Sequence, residues 1–120
     1  MGGEGPWVSV KKRVKMKYKR LKKQSDFQKL FSGGKRAFSP SITIVYKKSQ
    51  RQTMGISVGK KHGKSVQRNR IKRLIREAYR AVLKDMQGTY SMVIIPKVAN
   101  SYSLDVFKKH LQWMIKKENL

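Results

Sequence analysis

The chain of 120 residues contains no cysteine, which excludes disulfides and thiolate metal sites. Acids are scarce too. There are six, Glu4, Asp26, Glu77, Asp85, Asp105 and Glu118, and no two stand closer than eight positions apart. Hydrolytic metal sites need clustered carboxylates, and acid–base catalysis often uses a pair of histidines. The two histidines here, His62 and His110, are distant in the chain. Folding can gather distant residues, but the inventory argues against a catalytic centre carried by this chain alone. No apolar run approaches the ~18 residues of a membrane-spanning helix. The opening "MGGEGPWVSV" lacks the apolar centre of a signal peptide. These absences point to a cytoplasmic protein.

Positive charge is abundant. Thirty Lys and Arg against the six acids give a net charge of +24. Self-repulsion of this size destabilises a compact state and calls for an acidic partner. Nucleic acid is the commonest such partner, with an anionic membrane surface as the rival. The length fits one domain. Residues 1 to about 23 look like an arm, because "KKRVKMKYKRLKK" has almost no neutralising acid. Such an arm is either a solvated tail or a segment that orders on a polyanion.

Beyond the arm, "SDFQ" fits a capping box with Ser25 as N-cap and Gln28 reaching back. Phe27, Leu30 and Phe31 recur on one face of the short helix that follows, and Gly33-Gly34 ends it. "SITIVYKK" and "QTMGISVG" read as strands, and the short polar segment between them suggests a hairpin. A further short strand is possible around Ala37 to Pro40. "YSMVIIPK" has Met92, Val93, Ile94 and Ile95 in succession, the mark of a strand buried on both faces and therefore central. A last helix is capped by Ser103, with Leu104, Phe107, Leu111 and Ile115 as its core stripe. Trp113 falls opposite that stripe, to pack elsewhere or lie partly exposed.

Between these lies a long helix from Ser65 to about Lys84. At ~100° per residue, Ile71, Leu74, Ile75, Ala78 and Val82 share one stripe. Asn69, Lys72, Arg73, Arg76 and Arg80 fall on the opposite side, with Arg68 and Arg70 on the flanks. Each like-charge pair one turn apart costs roughly 0.2–0.5 kcal/mol, and each buried Ile, Leu or Val contributes roughly 1.5–3 kcal/mol. The apolar stripe wins, and the repulsion left over becomes attraction on a phosphate backbone. The order of elements, α-β-β-β-α-β-α, is that of an α+β fold, an α/β sandwich.

The stretch "GISVGKKHGKSVQRNRIKRLIREAYR" resembles the protein subunit of bacterial ribonuclease P. The family signature stands here as Gly55-Ile56-Ser57-Val58-Gly59-Lys60-Lys61, then Arg68-Asn69-Arg70, Lys72-Arg73 and Arg76-Glu77, without a gap. "DFQKLF" looks like the family's first helix and "YSMVIIPK" like its fourth strand. The likeness covers about residues 16 to 117. It leaves residues 1–14 as a basic, disordered extension beside a single domain over 15–120. "IPKVAN" departs from the family's usual pattern, so nothing is carried over there.

The resemblance implies a central sheet with an unusual left-handed βαβ crossover, a ribosomal protein S5 domain 2-like arrangement. It implies the RNA-binding subunit of an endoribonuclease that removes the 5′ leader from precursor tRNA, with the catalytic centre in the RNA subunit. Its partners would be the ribonuclease P catalytic RNA and precursor tRNA, with no membrane, and the free protein would be monomeric. The holoenzyme would use Mg²⁺, bound mainly by RNA and substrate, with none held tightly by the protein. The protein would raise affinity for substrate and metal. Position by position, Lys60, Lys61, Arg68, Asn69, Arg70, Lys72, Arg73 and Arg76 would bind RNA. Phe27, Phe31 and Tyr46 would line a cleft for the unpaired leader. An ungapped alignment puts Val45 in the third place, and one residue of slip puts Tyr46 there.

Other readings compete. Phe27 and Phe31, one turn apart, read from pattern alone as core. Gly59 and Gly63 can simply shape a turn, and His62 is expected to be exposed and without a role. A ribosomal component would share the charge and size. A DNA-binding protein could lay the 65–84 helix in a major groove, but no helix-turn-helix pair or dimer seam is recognisable.

Overall fold

The computed structural model describes residues 18–120. The expected basic extension over residues 1–14 lies outside them. The elements are β1 (Lys19–Arg20), α1 (Gln24–Gly33), β2 (Lys35–Phe38), β3 (Ile42–Lys48), β4 (Thr53–Ile56), α2 (Ser65–Leu83), β5 (Tyr90–Pro96) and α3 (Leu104–Glu118), with a 3-10 turn at Lys60–His62 before α2.

Side-chain alternation decides how the sheet is covered. Along β3, Ile42, Ile44 and Tyr46 point to one face, with Met54 of β4 and Met92 and Ile94 of β5. Against that face pack Ile71, Ile75 and Tyr79 of α2 and Phe107, Leu111 and Met114 of α3. Val45 and Val93 point the other way and meet Leu30 of α1, with Phe27 and Phe31 packed around them. The result is three layers: α2 and α3, the sheet, and α1.

β5 is the central strand, as its apolar run predicts. The sheet order is β1-β4-β5-β3-β2. β5 pairs antiparallel with β3, Ile44 opposite Ile94, and parallel with β4, Gly55 opposite Val93. The expected hairpin of "SITIVYKK" with "QTMGISVG" is therefore wrong, since β5 lies between those strands. The linker instead crosses the start of β5. The Ser49 N–H donates to the Thr89 carbonyl at 3.0 Å, and the Tyr90 N–H donates to Gln52 Oε1 at 2.8 Å. β4 and β5 are adjacent and parallel, and α2 is the crossover that joins them.

Two further expectations change. The end of the basic arm is a strand, with Lys19 and Arg20 paired parallel to Thr53 and Met54. The Ser25 capping box does not form, because α1 begins at Gln24 with Lys23 as N-cap and no side-chain cap bond. Ser103 does precede α3, though its side chain makes no cap bond either.

Candidate nucleic-acid interface

α2 keeps its expected two faces. Ile71, Ile75, Ala78 and Val82 are buried, Leu74 is half-buried, and Tyr79 and Leu83 join them inside. Asn69, Arg70, Arg73 and Arg80 are exposed, while Lys72 and Arg76 are half-buried. Half-buried long side chains lay their methylenes on the protein and keep the charge in water. Arg68 is also half-buried. Its guanidinium donates to Ser65 Oγ at 3.3 Å, and its Nε has no partner. That nitrogen is itself shielded from solvent, so in this arrangement it is not offered to a ligand.

Lys60 and Lys61 are exposed on the 3-10 turn that leads into α2. His62 holds that turn. The expectation of an exposed, idle His62 is corrected: it is 4% exposed. Its Nε2–H donates to the Pro96 carbonyl at 2.7 Å, and its Nδ1 accepts from the Gly59 N–H at 3.1 Å. Both ring nitrogens are thereby used, and the two lysines are tied to the end of β5. Gly63 follows with φ of 113°, a left-handed conformation that favours glycine.

The second site lies on the other side of the sheet. Phe27 and Phe31 are half-buried at the edge of α1, with ring centroids 6.5 Å apart. They sit over Val45 and Val93. The Arg36 guanidinium lies 6.0 Å from the Phe31 centroid. α1 approaches closely because β4 has a glycine beneath it: a Cβ on Gly55 would stand 2.7 Å from Phe27 Cζ. Tyr46 does not share this cleft, which corrects its placement there. It points into the helix layer, is 5% exposed, and donates its hydroxyl to Glu118 Oε1 at 2.7 Å. Burial, and then that bond, push its pKa up to about 12. Val45 holds the cleft-side position.

Sequence reasoning missed how far the positive charge continues. Lys19, Lys22, Lys29, Lys47 and Lys48 line an open groove of about 600 Å³ beside α1, with Asp26 at its margin. Alternation along β3, which places Lys47 on the face of Val45, was the available signal. Arg36 and Phe38 flank buried Ala37 on β2 and so stand on the cleft side; Phe38 is 60% exposed. Among the described residues no three His, Asp or Glu side chains gather to hold a metal. No described helix is long and apolar enough to cross a membrane.

A family model described as Ribonuclease P matches residues 16–119. The chain belongs to the ribonuclease P protein family. It is 42% identical over 86 residues to the ribonuclease P protein component of Clostridioides difficile, covering 68% of this chain and 75% of that one. It is 39% identical over 102 residues to that of Dictyoglomus turgidum, covering 83% and 86%. The ribonuclease P protein of Staphylococcus aureus superposes with a TM-score of 0.72 at 28% identity, covering 85% of this chain and 96% of that one. The mixed α+β fold is that of these proteins. As a ribonuclease P protein component, the chain serves tRNA 5′ processing with the enzyme's RNA subunit, as part of an endoribonuclease complex.

Proposed function

We propose that the chain is a two-sided adaptor within ribonuclease P. The basic face of α2 docks on the RNA subunit through Arg68, Asn69, Arg70, Lys72, Arg73 and Arg76, with Lys60 and Lys61 at its mouth. The cleft between α1 and the sheet takes the unpaired 5′ leader of precursor tRNA on Phe27 and Phe31. One observation carries this reading: two phenylalanines stay half-buried over a sheet face, with the Arg36 guanidinium 6.0 Å from the Phe31 centroid and a lysine-lined groove beside the same helix. A core-forming pair would be fully covered. Unpaired bases stack on such rings at roughly 1–3 kcal/mol each, and the lysines supply a salt-dependent attraction for the leader's phosphates.

Gripping substrate through its leader would raise affinity for precursor over mature tRNA. The catalytic centre would lie in the RNA subunit. The Mg²⁺ that the holoenzyme uses would be held mainly by RNA and substrate, and the protein would raise metal affinity by placing the phosphates that bind it. The chain's own part is then binding and positioning.

The test is cleavage of a precursor tRNA by a bacterial ribonuclease P RNA at low Mg²⁺, with and without the protein, beside a protein-only control. Cleavage is expected only with both components. Arg73→Ala should weaken binding to the RNA subunit and flatten its salt dependence. Phe27→Ala should weaken precursor binding roughly 5- to 150-fold and leave mature tRNA nearly unchanged. Equal losses for both tRNAs would remove the leader from the cleft. Cleavage by protein alone would move the catalytic centre into this chain.

A further inference from the structure

Neither the core nor the two surfaces described above account for Trp113. It stands opposite the stripe of Phe107, Leu111 and Ile115 on α3 and is 49% exposed. Val106, two turns earlier on the same side, is 41% exposed. Lys109, Lys116 and Lys117, all exposed, frame the indole. The Lys117 ammonium lies 4.8 Å from the ring centroid. Lys109, Gln112, Trp113 and Lys116 also line an open groove of about 710 Å³, with Asp85 from just beyond α2 on its far side.

The composition of this face narrows its occupant. A half-exposed indole with one ammonium beside its ring and two more lysines on the same groove matches a stacked base with its flanking phosphates. A second copy of the chain would bring another +24 of charge. Two apolar side chains also fall far short of the ~800 Å² per partner of a stable interface. A membrane-surface helix needs a broad apolar face for lipid, and α3 spends its own on Phe107, Leu111, Met114 and Ile115 in the core. Position separates the two RNAs. α3 lies beside α2 on one side of the sheet, whereas Phe27 and Phe31 lie on the other. The leader's cleft and Trp113 therefore face apart.

We propose that the outer face of α3 is a second contact with the RNA subunit. Trp113 stacks on an unpaired base, and Lys109, Lys116 and Lys117 hold the phosphates beside it. This contact rests on the reading that α2 docks on the same RNA, and it widens that interface across the helix layer.

The two tryptophans are Trp7 and Trp113, so a full-length Trp7→Phe chain reports on Trp113 alone. Titration with a bacterial ribonuclease P RNA should quench its emission saturably, with the midpoint of binding measured independently. Trp113→Ala should weaken that binding roughly 5- to 150-fold, and Trp113→Phe should restore most of it. Both variants should discriminate precursor from mature tRNA as before. Flat emission through saturation, with Trp113→Ala binding normally, overturns the proposal. If Arg73→Ala still loses affinity in that case, the α2 reading stands alone. Quenching with an Arg73→Ala chain of unchanged affinity would keep the α3 contact and fail the α2 reading. Quenching by anionic phospholipid vesicles but not by RNA, or a dimer that Trp113→Ala abolishes, would give the face to another occupant and overturn the proposal.

Discussion

His62 sits among lysines in the sequence, where a polar ring is expected to face water. Its burial goes with two backbone partners, the Gly59 N–H three residues earlier and the distant Pro96 carbonyl, and only the folded chain brings Pro96 to it. His62→Ala would leave the buried Pro96 carbonyl unpaired, at a cost of about 1–3 kcal/mol, while the exposed Gly59 can turn its N–H to water. Urea unfolding should show a lower midpoint with an unchanged slope. A shift equivalent to less than about 0.5 kcal/mol would mean that water replaces both bonds. The choice between Val45 and Tyr46 belongs to the same scale. One residue of register reverses the face of a strand side chain, and the alternation Ile42, Ile44, Tyr46 against Val45 settles it. Both strand faces are apolar, so hydropathy alone could not.

α2 and β5 were the most legible elements. A 19-residue helix repeats its pattern over several turns, and β5 is apolar on both faces, which leaves it only a central place. The hairpin failed because a short polar linker signals a turn without naming the strand's partner. β5 gains more by burying both faces between β3 and β4 than an edge position would allow. α1 failed only at its start, where Ser25 and Gln28 had the right spacing but the helix begins a residue before Ser25. Its seat on the sheet depends on Gly55, whose added Cβ would also stand 2.9 Å from Leu21 Cβ. Gly55→Ala should push α1 outward and destabilise the fold by about 1–3 kcal/mol. It should also reduce the preference for precursor over mature tRNA, since Phe27 moves with the helix. Thermal unfolding and paired tRNA affinities check this. A variant that is destabilised but discriminates normally would separate the seat of α1 from leader binding.

The charge of +24 acts on the whole molecule. It repels itself in the free protein and is neutralised on RNA, so salt should have opposite effects on folding and binding. Raising a chloride salt from about 50 to 200 mM should raise the melting temperature of the free protein by screening. The same change should weaken RNA binding, with log affinity falling by about 0.7–0.9 per log unit of salt for each phosphate contacted. Scanning fluorimetry and a binding titration in the same buffers would show both. A melting temperature that falls with salt would mean that specific attractions outweigh the repulsion.

Composition and local pattern by themselves determined the polyanionic partner, the two faces of α2, the central strand and the family signature from Gly55 to Glu77. Each rests on residues near one another in the chain, where charge density and periodicity are physical quantities of the sequence. Tertiary structure alone decided which strands are neighbours, that His62 is buried, that Val45 and not Tyr46 lies beneath Phe27 and Phe31, and that Lys19, Lys22, Lys29, Lys47 and Lys48 share one groove. Those facts depend on contacts between distant segments. Such contacts are selected by the burial gained across the whole core, which no local pattern records.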